Sequence, residues 1–422
     1  MTSALVIASR AMLEPMHSRY TRPPLVRRLN AMAAACGDAR AVVPIDAGEL
    51  VDLAVETTGL DDFGSFGDGN WFDRLEALVA AVNTSDLHVV GRLMTREEML
   101  RCLRTRLLMA KQWREDPGIA SEVIRAPLVV TGPARSGTTI TFELLALDPE
   151  LRSPRAADVL HPAPQGGTSD ADRLAMSECE QELWADVQPE FAAIHELRAD
   201  LPVECVTINA PSFAGSHWPM LLQQLGDWAP DPLADFAWHG AALRTMQRGD
   251  PGRRWLLKTP GYLVGLDFLA AAYPDAELIL THRDPARTMP STVSTVAMVQ
   301  WLRTDHVDLD MLSTMIGAVF TNALGEVARR RSDGSLPLAC GDIRFTELMN
   351  DPAGAVGRAY AQLGRRISDE HAAAIRAYIR DKPQGKFGRH LYTAAEWGFD
   401  AASLRDELRD YVTTFGIELE DA

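Results

Sequence analysis

The chain has 422 residues, of which 46% are hydrophobic and 24% are charged, a composition typical of a folded globular protein and not of a disordered one. The formal net charge of -16 argues against a nucleic-acid partner, because proteins that bind nucleic acids normally present a basic surface.

The cysteines and the apolar segments predict the compartment. The five cysteines form no CxxC pair and have no metal-like spacing to the histidines, which predicts reduced thiols and no metal site. The first residues lack the pattern of a signal peptide, and we expect no stretch near the roughly 18 apolar residues of a membrane span. The sequence therefore predicts a cytoplasmic protein without integral membrane association.

Residues 1–125 predict a helical lobe. Apolar residues recur at steps of three and four in LVDLAVETTGL, WFDRLEALVAAVN and REEMLRCLRTRLLMAKQW, with charged residues between them. Such stripes are typical of helices that pack on a neighbouring domain. A lid or an oligomer contact is the alternative interpretation of this lobe.

From Pro127 onwards the pattern alternates between strand and helix. PLVVTG, RWLLKTP, AELILTHR and PLACGDIRF predict strands, whereas TTITFELLAL, GYLVGLDFLAAAY and the segment after Pro285 predict helices. This alternation indicates an α/β fold with a parallel sheet. Ligands of such sheets bind beyond the carboxyl ends of the strands, where loops 132–137, 259–261 and 283–285 are expected to meet.

The segment VVTGPARSGTT predicts an anion-binding loop between a strand and a helix. Gly132 and Gly137 permit the close backbone approach that such a loop needs, and Thr138 begins the helix. The lysine that follows the second glycine in ATP-binding loops is absent. Arg135 is the candidate cation within the loop, because a guanidinium suits an anion with several oxygens.

The segment LILTHRDPARTMPS predicts a second phosphate site. Arg283 follows a strand, Pro285 suits the first turn of a helix, and Ser291 lies further along that helix. A local pair between Arg283 and Asp284 is the alternative. Together the two segments indicate a nucleotide that carries phosphates at both ends.

Four segments in the same order resemble the PAPS-dependent sulfotransferases, particularly the large bacterial branch common in actinobacteria. They are PLVVTGPARSGTT, WLLKTPGYLVGLDFLAAAYPDAELILTHRDPARTMPS, FTELMNDPAGAVGRAY and KPQGKFGRHLY, and the resemblance spans roughly residues 125–415. It implies the sulfotransferase fold, a P-loop-like parallel sheet flanked by helices, over residues 126–422. An acceptor-site insertion is expected at about 160–250, and the helical lobe of 1–125 precedes the α/β domain.

The resemblance also implies the residues that bind the co-substrate PAPS, 3'-phosphoadenosine 5'-phosphosulfate, without a metal. The 5'-phosphosulfate loop corresponds to Arg135, Ser136, Gly137, Thr138 and Thr139. The 3'-phosphate site corresponds to Arg283 and Ser291, and a C-terminal closing loop corresponds to Lys386, Gly388 and Arg389. A solvated basic loop is the alternative for 386–390. Phe345 stands where many relatives have a tyrosine near the adenine.

The catalytic groups are only partly implied by the resemblance. Lys258 resembles the family lysine that assists the leaving oxygen. The histidine base of the cytosolic animal branch is replaced by Pro260. Other branches use a glutamate, whose position corresponds to Asp158. We expect Asp158 to be the general base, and the alternatives are Glu204, His161 and His217.

The acceptor is expected to be a hydroxyl of a small molecule or lipid. The segment between the two phosphate sites is rich in aromatic residues: Trp184, His217, Trp218, Trp228 and Trp238. They favour an apolar alcohol if they face the site, and core packing is their alternative role. Two other functions remain open, an ATP-dependent kinase and a catalytically degenerate nucleotide-binding protein.

Overall fold

The computed structural model describes the chain except for short segments. The described residues are 13–163, 165–193, 196, 198–250, 252–381 and 393–421. Lys386, Gly388 and Arg389, the expected closing loop, lie outside the described residues.

The N-terminal segment is helical, in agreement with the apolar spacing. Its helices are α1 (Met16–Arg19), α2 (Pro24–Ala35), α3 (Ala39–Val42), α4 (Ala47–Thr58), α5 (Trp71–Thr84) and α6 (Val89–Glu115). Helix α6 is the longest of these helices. It is central to the segment, because Leu103 and Leu107 on its buried face have no exposed surface.

The α/β region is built on a parallel sheet of five strands, which confirms the predicted fold class. The strands are β1 (Leu128–Thr131), β2 (Leu151–Arg152), β3 (Arg254–Lys258), β4 (Glu277–His282) and β5 (Ala339–Arg344). Their order across the sheet is β2-β3-β1-β4-β5. Strand β1 pairs with β3 on one side and β4 on the other, so the loops that follow these three strands meet at one edge.

Helices connect and cover the strands. They are α7 (Thr138–Leu145), α8 (Ala156–Leu160), α9 (Asp170–Val187), α10 (Cys205–Ile208), α11 (His217–Leu221), α12 (Pro232–Gln247), α13 (Leu266–Ala272), α14 (Pro285–Trp301), α15 (Leu309–Asp333), α16 (Phe345–Asn350), α17 (Pro352–Gln362), α18 (Asp369–Asp381), α19 (Ala401–Glu407) and α20 (Arg409–Phe415). Short 3-10 helices lie at Pro117–Ser121, Pro189–Ala193, Ala210–Ser212, Pro260–Leu263 and Ala395–Trp397.

Two hydrophobic cores cover the two faces of the sheet, because successive strand residues point to opposite sides. Val129 and Leu257 pack in a large core that also contains Leu103 of α6, so the N-terminal helices share a core with one sheet face. Val130 and Leu256 pack in a second core with helices α7 and α17.

Helix α15 differs from the expectation that no segment approaches the apolarity of a membrane span. By length and hydropathy it is the candidate span among the described residues, with 44% of its apolar window buried. The buried residues include Leu312, Ile316 and Leu324, which belong to the large core. The apolarity of α15 therefore has a packing explanation.

Candidate active site

The loop at 132–137 has the backbone geometry of an anion cradle. Gly132 has a φ of 150°, and an added Cβ would lie 2.3 Å from Thr281 Oγ1, so a side chain does not fit between β1 and β4. Gly137 has a φ of 95° and is the N-cap of α7, where no side chain caps the helix. The first amides of α7 are therefore available to an anion.

Side chains of the loop differ in their roles. The Ser136 hydroxyl is buried, lies 2.6 Å from Thr281 Oγ1 and donates to the Pro133 carbonyl at 2.6 Å, so it fixes the loop to the sheet. Arg135 has a positive φ of 63°. Its guanidinium is exposed and has no ion-pair partner in the described part of the chain. The loop thus presents backbone amides and one unpaired cation.

Lys258 joins this loop to a carboxylate. It ends β3 opposite Val130 of β1, and its residue surface is 1% exposed. Its ammonium group donates to Thr139 Oγ1 at 3.2 Å and forms an ion pair with the carboxylate of Glu204, the N-cap residue of α10. The sequence candidates Thr139, Lys258 and Glu204 are therefore in direct contact.

Asp158 faces a different part of the molecule. Its carboxylate accepts from Arg155 Nε and Nη2, both at 2.8 Å, and pairs with Arg173 at 3.0 Å. Burial raises the pKa of Asp158, but the Arg155 hydrogen bonds and the charges of Arg155 and Arg173 outweigh it and hold the pKa below its ordinary value. Asp158 is thus bound by two arginines, and no contact with Lys258 is found for it among the described residues.

The helical period explains this separation of the two carboxylates. Residues Ala156, Val159 and Leu160 lie on one face of α8 and line an apolar cavity that Glu204 also lines. Asp158 lies on another face of the same helix and lines a polar pocket of about 520 Å³ instead. Sequence position alone could not distinguish these faces.

Arg283 is held by the C-terminal segment. Its guanidinium donates from Nε and Nη2 to both carboxylate oxygens of Glu420, each at 2.6 Å, and from Nη1 to the Arg135 carbonyl at 2.9 Å. Glu420 is also fixed through its backbone, since its amide donates to Asp284 and its carbonyl accepts from Arg405. The carboxylate of Glu420 thus binds the guanidinium expected to bind a phosphate.

Two further residues connect Arg283 to the loop. The Phe345 ring lies 3.7 Å below the Arg283 guanidinium, and its edge would lie 3.3 Å from a Cβ at Gly137. The Ser291 hydroxyl on α14 is buried and has no hydrogen-bond partner among the described residues. An unpaired buried hydroxyl near the start of α14 fits a site for a group that accepts hydrogen bonds.

Glu204 also lines an apolar cavity of about 370 Å³. Its apolar lining residues are Met94, Ala156, Val159, Leu160, Leu183, Trp184, Phe191, Val203, Val206, Met220, Leu221 and Val299. The cavity and the loop are therefore joined by the pair of Glu204 and Lys258, and the wall favours an apolar ligand.

Charged side chains on one side of the cavity neutralise one another. Glu98 lies 2.8 Å from His217 Nε2 and accepts from Arg303 Nη2 at 2.8 Å, while Arg101 pairs with Glu98 and Glu180. Burial raises the pKa of Glu98, but its interactions with His217, Arg303 and Arg101 outweigh burial and hold the pKa well below the ordinary range. Glu98 is therefore ionised and shared by three partners.

Other sequence candidates divide between the cavity and the core. Trp184 and His217 line the cavity. The indole N–H groups of Trp218, Trp228 and Trp238 donate to backbone carbonyls of residues 208–213, which is a packing role. His161 Nε2 lies 3.0 Å from Glu180 Oε1, and no contact with Lys258 is found for it in the described residues.

The sequence reasoning missed two residues of this region. Glu420 lies 137 positions from Arg283, and no local signal links them. Arg303 could have been found, because Ser291, Thr295, Val299 and Arg303 follow at steps of four and predict one helix face that runs away from the second phosphate site.

Comparison with known proteins shows the family of the chain. The model of the sulfotransferase family matches residues 127–369, which is more than half of the chain. The chain belongs to the sulfotransferase family and is a transferase.

Two curated relatives carry the same name, omega-hydroxy-beta-dihydromenaquinone-9 sulfotransferase Stf3. They come from Mycobacterium bovis and Mycobacterium tuberculosis, and each is 24% identical over 291 residues, which cover 64% of this chain and 71% of the relative.

Two solved structures share the fold over most of the chain. Sulfotransferase STF9 from Mycobacterium avium superposes with a TM-score of 0.75 and 25% identity, covering 89% of this chain and 98% of that one. Sulfotransferase STF1 from Mycobacterium tuberculosis H37Rv gives a TM-score of 0.66 and 25% identity, with coverage of 87% and 99%.

Proposed function

We propose that this sulfotransferase is a cytoplasmic enzyme that transfers the sulfuryl group of PAPS to a hydroxyl of an apolar small molecule or lipid. One observation carries the proposal. Lys258 contacts Thr139 of the glycine loop and Glu204 at the start of the apolar cavity, so one ion pair joins the expected donor side to the expected acceptor side.

The residues present suit the donor. The uncapped start of α7 and the exposed Arg135 would hold the 5'-phosphosulfate, and Arg283 with the unpaired Ser291 hydroxyl would hold the 3'-phosphate. PAPS supplies the sulfuryl group when bound. The geometry of the contact with Glu420 supports this role, because Arg283 Nε and Nη2 donate to both oxygens of one carboxylate.

The proposed chemistry of the Glu204–Lys258 ion pair follows from the two charges. Glu204 is a carboxylate within the cavity and would accept the proton of the acceptor hydroxyl as that oxygen attacks sulfur. Lys258 would then donate to the oxygen that departs from sulfur, where negative charge increases. We therefore favour Glu204 as the base over Asp158, whose oxygens are taken up by Arg155 and Arg173.

The acceptor class follows from the cavity wall. Its apolar lining favours an alkyl or aromatic alcohol over a charged sugar. The name of the Stf3 relatives describes an omega-hydroxy menaquinone acceptor, which is also an apolar alcohol. The volume of about 370 Å³ suits part of a lipid or a complete small molecule.

Calorimetric titration with adenosine 3',5'-bisphosphate tests the donor site. We expect micromolar binding and a loss of about 100-fold in the Arg283→Ala variant, because that variant lacks a charged hydrogen-bond donor. Arg409→Ala, at an exposed arginine paired with Asp406, is the matched control. Tighter binding of ATP than of the bisphosphate would favour a kinase and contradict the proposal.

Transfer of radiolabelled sulfate from PAPS to 1-decanol and 2-naphthol tests the chemistry. We expect Glu204→Gln to lower kcat at least 100-fold and to leave the affinity for the bisphosphate nearly unchanged. Binding of the bisphosphate with no transfer to either alcohol by the wild-type protein would favour a degenerate nucleotide-binding protein.

A further inference from the structure

Arg303 is a buried arginine whose hydrogen-bonding capacity is only partly used. It lines the acceptor cavity, and its side chain is 1% exposed. Its Nη2 donates to Glu98, whereas Nε and Nη1 have no hydrogen-bond partner among the described residues. Unpaired buried donors are costly, so they indicate a partner that the cavity receives from outside.

The position of Arg303 follows the helix that carries Ser291. Ser291, Thr295 and Val299 lie on α14 at steps of four, and Arg303 lies in the turn just after α14 ends at Trp301. At 1.5 Å per residue, Val299 lies about 12 Å along α14 from Ser291. Thr295, Val299 and Arg303 all line the cavity, so α14 and the turn after it extend from the expected phosphate site along the acceptor wall.

The charges around Arg303 select the kind of partner. Glu98 and Glu180 line the cavity together with the arginines Arg101 and Arg303 and form ion pairs with them. Burial raises the pKa of the neighbouring Glu97 to about 7, so two carboxylates face two guanidinium groups, and a further anion would enter as an uncompensated buried charge. A neutral oxygen accepts a hydrogen bond without adding charge.

We propose that Arg303 forms a second binding position in the acceptor cavity, where one of its unpaired nitrogens, Nε or Nη1, donates to a neutral oxygen that the acceptor carries at a distance from the sulfated hydroxyl. A carbonyl oxygen is the simplest such group. The ring of Trp184 lies 5.3 Å from the guanidinium and would cover the same part of the ligand. This inference rests on the proposed sulfotransfer to an apolar alcohol, and it narrows the acceptor to one with two separated oxygens.

The test compares two alcohols of equal chain length, methyl 8-hydroxyoctanoate and 1-decanol. Both are titrated calorimetrically into protein saturated with adenosine 3',5'-bisphosphate, and kcat/KM is then measured for each with PAPS. The variant is Arg303→Lys, which keeps a positive charge beside Glu98 and loses the planar fork of donors.

The matched control is Arg92→Lys. Arg92 is also a buried arginine, but its Nε, Nη1 and Nη2 donate to Val43, Val82 and Asn83, and it is not among the residues that line the cavity. We expect the ratio of the ester dissociation constant to that of decanol to rise about tenfold in Arg303→Lys, and to stay within twofold of wild type in Arg92→Lys.

The two proposals fail differently. An unchanged ratio in Arg303→Lys overturns the Arg303 position while sulfation of either alcohol leaves the proposed function intact. Absence of binding of both alcohols to the loaded protein also overturns it. Failure of the bisphosphate itself to bind, seen before any alcohol is added, contradicts the proposed donor site instead.

Discussion

The glycine loop and the Arg283 site are the two regions proposed to bind anions, and they are built in different ways. The loop depends on backbone amides at the start of α7, and its side chains mainly fix it to the sheet. The Arg283 site depends on one side chain, and that side chain is already bound to Glu420. The loop is thus preformed for the proposed ligand, whereas Arg283 would have to exchange Glu420 for the proposed phosphate.

The largest expected effect concerns Lys258, which belongs to the loop region. Lys258→Met removes the ammonium group that contacts Thr139 and leaves Glu204 without its counter-charge. We expect kcat for sulfuryl transfer to fall about 1,000-fold, because stabilisation of charge on the departing oxygen is lost. The measurement is kcat with saturating PAPS and 1-decanol.

The control for this variant is Lys111→Met, at a partly exposed lysine paired with Glu115. The bisphosphate dissociation constant of Lys258→Met is expected to change by less than about fivefold, since the backbone amides of the loop remain. A kcat near that of wild type would show that Lys258 has no part in the chemistry.

Gly132→Ala breaks the preformed loop directly. The new Cβ would lie 2.3 Å from Thr281 Oγ1 and 2.5 Å from the Thr281 carbonyl oxygen, at a φ of 150° that favours glycine. We expect a loss of about 3 kcal/mol in unfolding free energy and at least tenfold weaker binding of both the bisphosphate and 5'-AMP.

Urea unfolding and calorimetry check this prediction. Gly325→Ala on α15 is the control, because a Cβ there meets nothing within 4 Å and a helical alanine is favourable. Wild-type stability of Gly132→Ala would mean that β1 and β4 separate easily, and the loop could not then be called preformed.

Glu420→Gln tests whether Glu420 competes with a phosphate for Arg283. The substitution removes the negative charge that competes for the guanidinium, so we expect about tenfold tighter binding of adenosine 3',5'-bisphosphate. Binding of 5'-AMP, which has no 3'-phosphate, is expected to stay the same. Calorimetry with both nucleotides measures the difference.

Glu418→Gln is the control, since Glu418 is an exposed acid of the same segment. Weaker bisphosphate binding in Glu420→Gln would indicate that Glu420 orients Arg283 for the phosphate and does not compete with it.

The smallest expected effect is at Asp158. Asp158→Asn keeps a polar group beside Arg155 and Arg173 and leaves Glu204 unchanged. We expect kcat for 1-decanol to stay within about twofold of wild type, because the carboxylate lines the polar pocket and not the apolar cavity. A loss comparable to that of Glu204→Gln would restore Asp158 as the candidate base.

The fold and the loop could be predicted from sequence because their signals are local. Strands β1, β3, β4 and β5 are short apolar runs, and Gly132 and Gly137 mark a turn whose geometry needs them. The parallel order of the strands then places the loops after β1, β3 and β4 at one edge.

The remaining features depend on packing between distant segments. The contact of Asp158 with Arg173 joins α8 to α9, and the packing that decides which face of α8 meets the apolar cavity is not revealed by sequence spacing. The contact between Glu420 and Arg283 joins residues 137 positions apart. The closing-loop prediction for Lys386, Gly388 and Arg389 remains a prediction.

The anchoring of Glu420 determines which motion opens the Arg283 site. Its backbone is held at both ends of the residue, by Asp284 at the amide and by Arg405 at the carbonyl, while the side chain alone covers Arg283. Release of the guanidinium therefore requires rotation about side-chain bonds and no unfolding of the C-terminal segment. Opening of the site thus requires a local side-chain motion and no movement of a chain segment, which belongs to a slower class of motions.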